Sequence, residues 1–145
     1  MNRELVQTAV DDTDEDKIGI GLVICAVVTL AAVGFIIRVF GFPGVRAFLG
    51  RVPAVNSVTA DMTRTIMARV RGAVGRAVGF RLTPAMCLRR AAAAATLLRL
   101  MGVRASVVIG VQRLPFAAHA WAEVNGEVVT EHAGWVHDYQ VIDRF

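Results

Sequence analysis

Hydrophobic and polar positions fall into blocks along this chain. Residues 1–17 are polar and acidic and end at Lys17, the composition of a solvated tail. Twenty residues without a charge follow, from Ile18 to Ile37 (IGIGLVICAVVTLAAVGFII). At 1.5 Å per residue such a run matches the roughly 30 Å of a bilayer core. It predicts a hydrophobic helix over 18–40, which either associates with a membrane or is buried against protein. It is not a convincing signal peptide, because the preceding region is acidic and no small-residue cleavage motif follows cleanly. If the helix inserts, Arg38, Arg46 and Arg51 hold the C-terminal part in the cytoplasm. Residues 41–57 (GFPGVRAFLGRVPAVNS) carry two prolines and three glycines and read as a linker with a helical turn or two.

Beyond the linker, Val58, Met62, Ile66, Val70, Val74 and Val78 recur at helical spacing. Arg64, Arg69, Arg71 and Arg76 fall largely off that stripe, so residues 58–80 predict an amphipathic helix with a basic face. The stretch TPAMCLRRAAAAATLLRLMG predicts the next helix, with Thr83 as cap, Pro84 at the first helical position and Gly102 as the left-handed stop. Three strands come after it: Ala105–Val111, His119–Val124 and Glu127–Glu131. Asn125-Gly126 between the last two is the strongest short hairpin signal in the chain. Helix, strand, strand, turn and strand make an α+β unit with a small antiparallel sheet packed against the helix.

The whole chain of 145 residues is 55% hydrophobic with a mean hydropathy of +0.54, which excludes intrinsic disorder. Two cysteines exclude a disulfide framework, and no Cys/His spacing matches a structural zinc site. The net charge of +4 conceals a separation of signs. Six of the twelve acids lie within the first sixteen residues, whereas thirteen arginines and one acid, Asp61, lie between Arg38 and Arg113. So basic a body suits a solvated face or an acidic partner or peptide. No nucleic-acid recognition motif accompanies the charge, so nucleic acid is not the expected partner.

Candidate chemistry gathers in the C-terminal half. Cys87 falls on the first turn of its helix, where unpaired N–H groups and the helix dipole favour a thiolate. Cys25, midway through the apolar run, reads as a small hydrophobe. His119, at the start of the second strand, is placed to take the thiol proton and return it to a leaving amine. A two-residue turn at Asn125-Gly126 pairs Val124 with Glu127 and Ala120 with Glu131, which brings Glu131 beside His119 as its orienting acid. Glu123 is a weaker orienter. Trp121 either shields the site within the core or touches substrate. Trp135 and Tyr139 either anchor the C-terminal segment or line a peptide groove. His132 and His137 lack a third ligand and make no metal site. The backbone N–H of Cys87 is the default oxyanion donor.

The run from Cys87 through LRLMGVRASVVIGV to AHAWAEVNGEVV, with the closing YQVIDRF, resembles the transglutaminase-like cysteine proteases of lasso-peptide biosynthesis. The likeness is specific over residues 80–145 and looser over 20–79. It implies a papain/transglutaminase-like α+β fold with an N-terminal hydrophobic helix, divided as an acidic tail (1–17), a hydrophobic helix (18–40) and a protease domain (41–145). It implies Cys87 as nucleophile and His119 as general base and acid. The third position carries Asp in some members and is Glu131 here, with Asp138 and Asp143 as reserves. The implied reaction is removal of the leader peptide from a ribosomal precursor, without metal or organic cofactor. The implied partners are the precursor's leader region, a small precursor-recognition protein and an ATP-dependent, asparagine-synthetase-like cyclase. Arg69, Arg71, Arg76 and Trp121 are candidates for contacts with leader or partner. The expected location is the cytoplasm, at the inner face of the cell membrane if the apolar helix engages it. Two other readings remain open, an acyl transferase of the transglutaminase type and a catalytically inert, membrane-anchored interaction module.

Overall fold

A computed structural model describes residues 19–79, 86–131 and 133–145. The expected acidic tail, the cap assigned to Thr83 and Pro84, and His132 lie outside the described residues.

The first helix, α1, runs from Ile20 to Arg51 with a kink at Gly41, whose φ of +62° suits glycine better than an L side chain. This corrects the expected linker, since residues up to Arg51 continue as helix. The reason is local. Pro43 carries no N–H and has a preset φ, both suited to a restarting first turn. Val45 and Leu49, one turn apart, then bury completely. Helix α2 spans Ala60–Val78, and the side chain of Thr59 accepts a bond from the Met62 N–H to cap it. Its inward face is built from Ile66, Met67, Val70, Ala73 and Val74, close to the predicted stripe, although Met62 is exposed.

Helix α3, Met86–Leu100, is the centre of the molecule and touches α1, α2 and the sheet. Ala91 to Ala95 are all fully buried, since methyl side chains let neighbours approach it from every direction. Its end is a Schellman motif, with the Val103 N–H on the Leu98 carbonyl and the Gly102 N–H on that of Arg99.

The sheet holds β1 (Ser106–Arg113), β2 (Phe116–Val124), β3 (Glu127–Val128) and β4 (Gln140–Arg144), with a short helix, α4 (Ala133–Val136), between the last two. Strand order is β3-β2-β1-β4, antiparallel throughout. Asn125 and Gly126 both have positive φ, the signature of the expected hairpin, and Val124 pairs with Glu127. The fourth strand was not legible in the sequence. One sheet face, with Val107, Ala120, Ala122 and Val124, packs on α3 in the main core. The opposite face closes over Val108, Trp121 and Val128 with Val136 and Tyr139.

Arginines tie the elements together. The Arg89 Nε–H donates to the Leu30 carbonyl of α1 at 2.6 Å. Arg99, 8% exposed, donates to the carbonyls of Ala105 and Leu49 at 2.8 and 2.6 Å. Arg104 donates to that of Ala54. With a single acid between Arg38 and Arg113, guanidinium groups find carbonyl oxygens where carboxylates are scarce.

Candidate active site

Cys87 is the second residue of α3, half-buried where the helix begins. His119 leaves β2 four residues into that strand. The two side chains are in hydrogen-bond contact, and the backbone N–H groups of Leu88 and Ala120 also face the sulfur. The sheet makes room for this meeting. Strand β3 ends at Val128, the Val129 N–H makes one more bond to the Ala122 carbonyl, and the Ala122 N–H turns to the Thr130 hydroxyl at 3.1 Å. Alternation along β2 directs the Ala120 N–H to that same edge, where the sulfur of Cys87 takes the place of a further strand.

The electrostatics favour a thiolate–imidazolium pair. Burial pushes the Cys87 pKa up, but the bond from His119, the Ala120 and Leu88 N–H groups and the imidazole's charge outweigh it, leaving the thiol below its ordinary 9.0. His119 is raised from 6.5 to about 9, first by its contact with Cys87 and then by that with Glu131, against the opposing effect of burial. The two ionisations belong to the pair rather than to either residue alone.

Glu131 is largely shielded, its side chain 9% exposed, with Oε1 3.6 Å from Nε2 of His119, within ion-pair range and beyond a firm hydrogen bond. The same oxygen accepts from Arg90 Nη1 at 3.0 Å, and Arg90 Nη2 donates to the Thr130 carbonyl at 3.0 Å. The other acids are engaged elsewhere. Glu123 accepts from the Trp121 indole at 2.7 Å and from Arg144 at 2.6 Å, Asp143 is paired with Arg46, and exposed Asp138 lies 3.8 Å from His137.

Two expected contact residues have other work. Trp121 is 1% exposed, bonded to Glu123 and stacked near His119 with ring centroids 6.3 Å apart, so it walls the site and presents no surface to a peptide. Arg71 turns from the basic face to donate to the carbonyls of Val129 and Val128 at 2.7 and 3.0 Å, at the end of edge strand β3. Arg69 is half-buried and Arg76 exposed on α2. Tyr139 packs against both aromatic neighbours, 5.7 Å from His119 and 6.2 Å from Trp121 between centroids, and Trp135 is exposed.

Sequence reasoning missed two residues here. Arg90 could have been found from its spacing, three residues after Cys87 and so on the same helix face. Gly110 interrupts a β-branched strand directly opposite His119, a position that signals a close approach.

No curated protein and no solved structure matches the chain significantly. The sequence does match the profile of the Transglutaminase-like superfamily across residues 29–144, a span that begins within α1 and takes in Cys87, His119 and Glu131. A cysteine at a helix start, a histidine on the adjoining antiparallel sheet and helices packed on that sheet agree with the match, and the chain belongs to the transglutaminase-like superfamily.

Proposed function

We propose that this chain is a cysteine endopeptidase that removes the leader peptide from a ribosomally made lasso-peptide precursor. The observation that carries the peptidase reading is the hydrogen-bonded pair of Cys87 and His119, with the thiol held low and the imidazole high. The lasso-peptide assignment rests on the sequence likeness over residues 80–145.

In the reaction, the Cys87 thiolate attacks the scissile carbonyl, forming a carbon–sulfur bond and an oxyanion. The imidazolium of His119 gives its proton to the departing amine as the C–N bond breaks, leaving a thioester. His119, now neutral, takes a proton from water, the resulting hydroxide displaces the sulfur, and the carboxylic acid and thiolate are released. Glu131 steadies the imidazolium through both steps. The Cys87 N–H at the start of α3 is the default oxyanion donor. The same thioester can be taken by an amine in place of water, which makes acyl transfer the second reading.

A separate leader-recognition protein presents the substrate, docking with the leader on the basic face of α2 around Arg69 and Arg76. An ATP-dependent cyclase then closes the freed N-terminus. The enzyme works on the cytoplasmic side, with the uncovered apolar face of α1 against the inner membrane surface.

The test is mass-spectrometric assay of precursor cleavage by the wild-type chain and by Cys87→Ala in the presence of the recognition protein. Cleavage by the wild type and its loss in the variant support a peptidase. Incorporation of an added amine at the acyl position marks the transferase instead, and equal processing by both proteins removes the catalytic reading.

A further inference from the structure

Arg90 and Cys87 stand three residues apart on α3; Cys87 meets the Ala120 N–H of β2, and Arg90 reaches the segment that follows β3. One arm of the Arg90 guanidinium holds the Thr130 carbonyl and the other holds Oε1 of Glu131, each at 3.0 Å. Beside it, Arg71 from α2 holds the carbonyls of Val128 and Val129. Two arginines thus take the carbonyls of three successive residues at and just beyond the end of β3. Strand β3 ends at Val128, so Glu131 lies three residues beyond the regular ladder.

The Arg90 guanidinium is largely buried, with side-chain exposure of 16%, and its Nε–H is bonded to nothing among the described residues. An unsatisfied buried donor costs stability, a cost that an apolar residue at this place would avoid. A planar fork that grips a carbonyl and a carboxylate one residue apart does what no apolar residue does.

We propose that Arg90 is a positioning residue of the active site, which locks the segment bearing Glu131 so that its carboxylate meets His119. This deepens the peptidase reading and rests on Cys87 and His119 as the reacting pair. Arg90 touches neither of them in its bonded contacts; it acts through Glu131, whose oxygen it shares with the imidazole.

The experiment needs no substrate. In a Cys25→Ser background, alkylation of Cys87 by iodoacetamide is followed against pH, with NMR titration of His119 and thermal unfolding alongside. The proteins are the background chain, Arg90→Gln, Arg90→Lys, Glu131→Gln and the Arg90→Gln/Glu131→Gln double variant. Arg90→Gln is expected to move the His119 titration from about 9 toward 6.5, as Glu131→Gln does, and the double variant to move it no further than Glu131→Gln alone. Arg90→Lys, a single donor group without the fork, is expected to restore part of the shift. A lowered melting temperature with an unmoved His119 titration in Arg90→Gln makes Arg90 a structural residue only and overturns the proposal. If Glu131→Gln also leaves His119 unmoved, Glu131 is not the orienting acid and Arg90 falls with it. If Cys87 alkylates like an ordinary thiol in the background chain, the fault lies in the reacting pair and the peptidase reading itself.

Discussion

Gly110 faces His119 across the β1–β2 ladder, and the place its Cβ would take is already filled. A methyl group there would stand 2.6 and 2.8 Å from ring carbons of Trp121 and 2.9 Å from Cβ of Tyr139. Trp121 is buried and bonded to Glu123, so its ring has no free direction in which to yield. Gly110→Ala is therefore expected to destabilise the chain by about 1–3 kcal/mol, the usual cost of overpacking. It should also displace His119 from Cys87, slowing Cys87 alkylation at neutral pH. Denaturant unfolding together with alkylation checks both, and unchanged values would mean that the two rings move aside freely.

The pH dependence follows from the coupled pair. Loss of thiolate as pH falls through the lowered Cys87 value sets the acid limb of kcat/KM, and loss of imidazolium near pH 9 sets the alkaline limb, because the departing amine then lacks its proton. Iodoacetamide requires the thiolate and no proton donor. Alkylation of Cys87 should thus show the acid limb alone, and a matching fall above pH 9 would count against His119 as general acid. Stability follows the same ionisations. The contribution of His119 is complete below 6.5 and disappears as pH rises through about 9, whereas that of the thiolate is complete above 9.0 and fades as pH falls through its lowered value.

How far the sequence foretold this site depended on whether a signal was local. The Asn125-Gly126 turn set the register of Val124 with Glu127, as a two-residue loop does. The expected strand to Glu131 stops at Val128, however, so Glu131 comes within ion-pair range of His119 without the predicted pairing to Ala120. The α3 pattern likewise fixed where Cys87 sits. Strand β4 was missed because QVIDR is short, exposed for most of its length and paired with β1 from far along the chain. The linker reading failed at Pro43, where one residue type serves a loop and a helix start equally well. Arginine roles were the least legible. The same residue type bonds carbonyls at Arg71 and Arg99 and points outward at Arg76, and only tertiary placement separates those uses.

Arg99 shows what such a bond is worth. Its guanidinium joins the Leu49 carbonyl near the end of α1 to the Ala105 carbonyl ahead of β1, and burial lowers its pKa. Arg99→Met keeps much of the volume and strands both acceptors, so a loss of roughly 3 kcal/mol is expected from two charge-assisted bonds. Arg99→Lys should recover part of it. Denaturant midpoints of the three proteins decide, and a variant as stable as the parent would show that water replaces the guanidinium.

On α2 the arginines now separate. Arg71→Glu is expected to lower the melting temperature by releasing the Val128 and Val129 carbonyls, whatever it does to binding. Arg69→Glu and Arg76→Glu are expected to weaken capture of the leader with its recognition protein several-fold, with a steeper effect at low salt, while Cys87 alkylation stays the same. Fluorescence anisotropy of a labelled leader measures this, and unchanged affinity would move the docking surface away from α2.

Helix α1 is apolar on both sides but covered on one. Ala26, Leu30 and Val33 pack inward, while Ile20, Ile24, Val27, Val28, Phe35 and Val39 form an outer stripe and only 17% of the most apolar stretch is buried. A contiguous exposed apolar stripe of this kind marks an interaction surface more often than a face left to water. The inner contacts also limit how a membrane can take it. Arg89 is bonded to the Leu30 carbonyl and lies against Gly34, so a helix that crossed the bilayer with the domain closed would draw that guanidinium into hydrocarbon. Lying along the surface, the helix buries its outer stripe and keeps Arg89 with the protein. Vesicle flotation tests this, with expected co-flotation of the wild-type chain and loss of it in Val28→Glu and Phe35→Glu, whose Cys87 should alkylate as before. A wild-type chain that stays at the bottom of the gradient with vesicles present, and soluble without detergent, would take the membrane out of the account and leave the stripe to a protein partner.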